Sequence, residues 1–124
     1  MASIRTRGTT PELLMRKVLS SFGIRYRVCF NDLPGKPDIY VGRLRLAIFI
    51  NGCFWHGHDC PRGRRPATNT DFWNAKIDKT IARDADVLIA LSTLAIETLT
   101  IWSCQIEDFK IIGNGVASKY EETR

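Results

Sequence analysis

Apolar positions along this chain change period from one segment to the next. Leu13, Leu14, Val18, Leu19 and Phe22 recur at helical spacing behind Thr9, Thr10 and Pro11 and ahead of Gly23, which predicts a capped helix from about Thr10 to Phe22. Arg25 to Phe30 has strand character and ends in Asn31-Asp32-Leu33-Pro34-Gly35, residues that favour turns. Pro37 to Val41 and Leu44 to Ile50 read as the two arms of a hairpin, with Gly42-Arg43 as a two-residue turn whose glycine takes the positive φ. Leu44, Leu46, Ile48 and Ile50 share one face of it. From Pro61 to Thr70 no apolar period survives, and the segment reads as a basic loop carrying Arg62, Arg64 and Arg65. Asp71 then opens a long helical pattern in which Trp73, Ile77, Ile81, Asp84 and Leu88 recur every three or four residues. A carboxylate inside an apolar stripe is either buried with a partner or aimed at a site. Thr98 to Trp102 reads as a strand delivering Cys104, and the polar stretch 113–124 is expected to be disordered. This order of elements predicts one α/β domain over residues 1–124, a mixed sheet flanked by helices, preceded by a short arm at 1–8.

A chain of 124 residues is long enough to close one core, and 44% apolar residues is the composition of a soluble globular protein. The longest apolar run, Val87 to Trp102, is broken by Ser92, Thr93, Glu97, Thr98 and Thr100, so no membrane span is expected. Met1 to Gly8 is polar with no apolar core behind it, unlike a cleavable signal, and a cytoplasmic location is expected. The net charge of +5 favours an anionic partner, nucleic acid first, although charge alone is weak support.

Both histidines and two of the four cysteines fall within residues 53–60, Cys53-Phe54-Trp55-His56-Gly57-His58-Asp59-Cys60. Thiolates and imidazoles are the donors zinc prefers, and cysteines in a reducing compartment are metal ligands or core thiols more often than disulfides. Cys53, His58 and Cys60 together with the distant Cys104 make a closed tetrahedral set with no open position, the signature of a structural zinc. The plainer reading leaves Cys53 and Cys104 as buried thiols, the part assigned here to Cys29. His56 is left over for chemistry.

Several stretches together resemble the very-short-patch repair (Vsr) DNA mismatch endonucleases, from about Ile4 to Cys104. They are Thr9-Thr10-Pro11-Glu12, Leu33-Pro34-Gly35-Lys36-Pro37-Asp38, Gly52 through Cys60, Pro66-Ala67-Thr68, Phe72-Trp73, Lys76-Ile77, Arg83-Asp84 and Trp102-x-Cys104. The resemblance implies a restriction-endonuclease-like fold with a structural zinc, and a magnesium-dependent nick beside a T:G mismatch in double-stranded DNA. It places the protein in bacterial-type DNA repair. It further implies that Asp38 holds magnesium, that His56 is the general base, that Asp84 orients it, and that Glu12 is an acidic residue near the site. The chemistry agrees: phosphodiester cleavage needs a metal to neutralise charge and a base to activate water, and a carboxylate-held imidazole is such a base. Each residue also has a plainer reading. Asp38 suits a turn, Asp84 an ion pair with an arginine, His56 a place beside the zinc, and Glu12 the helix dipole or a capping box with Thr9. Phe54, Trp55 and Trp73 resemble the family's aromatic wedge that inserts beside the mismatch, against a reading as core aromatics. Arg5, Arg7, Lys36, Arg62, Arg64 and Arg65 are candidate phosphate contacts, and Ile4 belongs to an arm that reaches the opposite groove but is short here.

Three departures matter. Asn51 stands where the family ordinarily has a second active-site histidine; its amide bonds a phosphate oxygen but carries no proton. The connection from Leu94 to Thr98 lacks the family's glycine, and Ala47 to Asn51 lacks the acidic-x-lysine of restriction enzymes. Two alternatives therefore stand beside the nuclease: an impaired relative that binds mismatched or distorted DNA without cleavage, and a zinc-stapled interaction module. A monomer is expected, with mismatch-repair proteins as candidate partners.

Overall fold

The computed structural model describes residues 10–28 and 30–123. The expectations for the arm 1–8, Ile4, Arg5, Arg7, Thr9 and Cys29 lie outside the described residues. In chain order the main elements are α1 (Thr10–Ser21), β1 (Arg27–Val28), β2 (Ile39–Val41), β3 (Leu46–Asn51), α2 (Thr70–Thr93), β4 (Glu97–Trp102) and α3 (Phe109–Glu122). Tight 3-10 turns at Gly42–Leu44, Pro61–Gly63 and Ser103–Asp108 join them.

The strands form one sheet in the order β1-β2-β3-β4. β1, β2 and β3 pair antiparallel, whereas β4 runs parallel to β3 because the long helix α2 carries the chain back across the sheet. One face of β3 buries Leu46, Ile48 and Ile50 with Ile39, Val41 and Ile101 against Met15 and Leu19 of α1 and Phe109, Val116 and Tyr120 of α3. The other face buries Ala47 with Leu91 and Ile96, flanked by Tyr40, Phe49 and Val87. A strand covered on both sides has no reason to alternate, which accounts for the unbroken Leu-Ala-Ile-Phe-Ile run.

Three expectations need correction. The β2–β3 connection is a 3-10 turn, and its left-handed residue is Arg45 at φ 48°, not Gly42. The Arg45 guanidinium donates to the carbonyl oxygens of Leu94 at 2.7 Å and Ala95 at 3.2 Å, and so holds that conformation from the far end of α2. On α2, Ile77 is buried as predicted, but Ile81 and Leu88 are 40% and 44% exposed, and Leu91 takes the buried place near the helix end. Within the stretch 113–124, expected to be disordered, residues 113–122 continue the helix α3 that begins at Phe109 and runs to Glu122. Phe109, Gly113, Val116 and Tyr120 recur every three or four residues along α3 and are buried, a periodicity hidden by the polar residues between them. Among the described residues no helix is long and apolar enough to cross a membrane.

This topology gathers the chemistry at one end of the sheet. β2 runs against β3, so Asp38 at its start lies beside the end of β3; β4 runs with β3, so Asn51 pairs with Trp102.

Candidate active site and metal cluster

Residues 52–63 leave β3 as a tightly wound loop held by its own backbone. His56 N–H donates to the Gly52 oxygen at 3.2 Å, His58 N–H to the Cys53 oxygen at 3.0 Å, Cys60 N–H to the His58 oxygen at 2.9 Å and Gly63 N–H to the Cys60 oxygen at 2.9 Å. Gly63 is required here, since a Cβ on it would lie 1.9 Å from the His58 oxygen, and Gly57 takes a positive φ of 61° against Ile77 and Ile81.

The winding brings Cys53, His58 and Cys60 together, and the turn after β4 adds Cys104: one ligand atom from each lies within 4.8 Å of all the others. Cys104 Sγ is 3.6 Å from Nδ1 of His58, and Cys53 Sγ is 3.3 Å from the Ser103 hydroxyl. Burial works to raise the Cys53 thiol, but the hydrogen bonds to the Ser103 side chain and the Cys104 backbone outweigh it and bring the thiol down to about 7. Cys104 is pushed up to about 11, by desolvation first and then by Cys53 and Cys60. Thiols this close resist ionising together unless a cation sits among them. The donor set therefore suits a metal that accepts sulfur and nitrogen.

His56 points away from this cluster to α2. Its Nδ1–H donates to Oδ2 of Asp84 at 2.5 Å, and both side chains are partly exposed, at 21% and 34%. An imidazole whose Nδ1 proton is held by a carboxylate keeps its Nε2 lone pair for an incoming group. Asp84 is thus the carboxylate of the apolar stripe, and its partner is a histidine rather than an arginine. Asp38 accepts the Ile50 N–H through Oδ2 at 2.7 Å, which ties it to the residue before Asn51.

Phe54, Trp55 and Trp73 meet in one aromatic cluster, with ring centroids 5.1 to 5.8 Å apart. Phe72, 59% exposed, packs edge-on against Trp73 at 5.2 Å. Lys76 lies one helical turn beyond, its Nζ 5.5 Å from the Trp55 ring and 5.8 Å from the Phe72 ring.

The sequence profile of the family described as DNA mismatch endonuclease Vsr matches residues 1–62. The DNA mismatch endonuclease Vsr of Escherichia coli is 37% identical over 123 residues, covering 98% of this chain and 79% of the relative. The type II nicking enzyme V.XorIIP of Xanthomonas oryzae is 40% identical over 108 residues, 87% of this chain and 79% of the relative. V.NmeAIP of Neisseria meningitidis, another type II nicking enzyme, is 39% identical over 108 residues, 87% of this chain and 77% of the relative. The chain belongs to the Vsr family. It is an endonuclease with the restriction-endonuclease-like α/β fold of that family.

As a Vsr-family protein it brings Asp38, Asn51, His56 and Asp84 to the sheet end and α2, and Cys53, His58, Cys60 and Cys104 into one cluster. Other predicted residues are engaged differently. Glu12 is 2% exposed and pairs with Arg16 on its own helix at 3.6 Å. Arg65 donates to Asn74 at 3.1 Å and to Asp78 at 2.8 Å, so its guanidinium fastens the basic loop to α2. Arg62, Arg64 and Lys36 are exposed, Lys36 in a left-handed turn at φ 50°. Sequence reasoning gave no role to Ser103, Lys76 or Trp102. Lys76 was readable one turn after Trp73; Ser103 had only its place between Trp102 and Cys104 as a signal.

Proposed function

We propose that this Vsr-family endonuclease nicks one strand of double-stranded DNA beside a T:G mismatch, using magnesium at Asp38 and a structural zinc at Cys53, His58, Cys60 and Cys104. The His56–Asp84 pair at 2.5 Å, at the sheet end that also holds Asp38, carries the reading. Asp84 keeps the Nδ1 proton, and Nε2 of His56 takes a proton from the attacking water. Asp38 offers a hard carboxylate oxygen of the kind magnesium accepts beside phosphate and water ligands. When bound, magnesium neutralises the charge that develops on the phosphate and the leaving oxygen. The Asn51 amide is a hydrogen-bond donor for a phosphate oxygen.

The names of the relatives support a single-strand cut, two being nicking enzymes and one a mismatch endonuclease. The Phe54–Trp55–Trp73 cluster supports mismatch preference, because unstacking is least costly at a mispair. Zinc suits the closed sulfur and nitrogen donor set.

The test is an end-labelled duplex with one T:G mispair, beside a matched control and Asp38→Ala. The expected result is a magnesium-dependent nick on the thymine strand, absent with Asp38→Ala and weak on the matched duplex. Equal cutting of both duplexes would reject mismatch selectivity. Asn51 supports a second reading, binding without turnover. In that case the wild type binds the mispair without nicking it, and Asn51→His restores the nick.

A further inference from the structure

Trp102 stands between the metal cluster and the general base and belongs to neither. It is the last residue of β4, paired with Asn51, and its backbone N–H donates to Oε1 of Gln105 at 2.8 Å, so its backbone is fixed from both sides. Its ring lies flat on the His58 imidazole, with centroids 4.0 Å apart and planes 14° from parallel. The same ring meets His56 edge-on at 6.2 Å and 73°. His58 turns Nδ1 to Cys104, and His56 turns Nδ1 to Asp84.

The loop backbone sets where the two imidazoles start but not how their rings are turned, because the outer torsion of a histidine is broad. A flat partner removes that freedom for His58, and an edge contact limits it for His56. Metal-ligating histidines are commonly held in orientation by hydrogen-bonded outer-shell partners; here the partner is a ring, and an aromatic pair is worth about 2- to 10-fold in an equilibrium.

We propose that Trp102 is a positioning residue that aligns His58 with the metal cluster and His56 with the substrate, coupling metal retention to nicking through one indole. The inference rests on the proposed nuclease reading for its His56 half only. The experiment compares full-length Trp102→Leu, which loses the flat ring, with Trp102→Phe, which keeps one. Three quantities are read: capture of zinc by a chromogenic chelator, single-turnover nicking of a prebound T:G duplex, and affinity for that duplex without magnesium. Trp102→Leu is expected to speed zinc loss and slow nicking by about 2- to 10-fold each. DNA affinity stays unchanged, and Trp102→Phe recovers most of both losses. Should Trp102→Leu not fold, Trp102→Met takes its place under the same expectations, as it keeps apolar volume without a ring. Unchanged zinc release in the ringless variant overturns the proposal, as does a Phe variant no better than the ringless one. Slower nicking with zinc retention intact overturns the coupling. If the wild type itself does not nick, the functional reading fails, while the zinc-release comparison still decides whether Trp102 holds His58.

Discussion

His56 and Asp84 lie 28 residues apart and are joined by a 2.5 Å hydrogen bond. Asp84→Asn keeps the shape but removes the negative charge and can turn its NH2 to Nδ1, which moves the ring proton to Nε2, so single-turnover nicking should fall by about 10²- to 10⁴-fold with DNA affinity retained. The thiols make a separate prediction for the chain stripped of metal. Cys53 titrates in the fold at about 7, below its ordinary 9.0, so its stabilising contribution is full above 9.0 and is lost as pH falls through about 7. Cys104 titrates at about 11, above 9.0, so its contribution is full below 9.0 and is lost as pH rises through about 11. The stability of the chelated protein should therefore climb from neutral pH toward 9.0 and decline beyond it, a profile that thermal unfolding across that range checks. The gathering of Cys53, His58, Cys60 and Cys104 was legible because sulfur and imidazole donors are rare residue types in tight spacing. The pairing of Asp84 was legible in two steps: its place on an apolar stripe marked it, and the family resemblance, not any local pattern, joined it to His56.

Ala95 closes α2 at φ 59°, where a side chain is unfavourable and the family's glycine would be at ease. Ala95→Gly should stabilise the protein by about 0.5–1 kcal/mol, the relief of left-handed strain less the added freedom of the unfolded chain, as read by urea denaturation. The chain supports this strained end with Arg45, which reaches the Leu94 and Ala95 oxygens from the β2–β3 turn. A contact between residues 45 and 95 has no local signature, so the local sequence points to Gly42 for the left-handed residue that the fold places at Arg45. α3 escaped for a different reason. Its buried positions were present in the right period, but polar and glycine residues between them lowered the average, and only the surface of α1 and the sheet explains why that stripe pays off as a helix.

The cluster ties the loop after β3 to the turn after β4, and so links segments on either side of the long helix α2. Metal bound there stabilises the folded state in proportion to its preference for that state. A strong chelator should lower the unfolding temperature by several degrees, and zinc, not magnesium, should restore it; an unchanged midpoint would mean the site is not structural. Local order was set by the chain alone: the first helix, the apolar β3, the long helix α2 and the donor spacing at 53–60 each follow from neighbours within a few residues. Strand direction, the side of the sheet each helix covers, the meeting of Asp38, Asn51, His56 and Trp102 at one sheet end, and the seat of Trp102 between two histidines were decided by tertiary structure. Those relations join residues far apart in sequence, and they hold only because burying both faces of β3 brings α1, α2, α3 and β4 together around it.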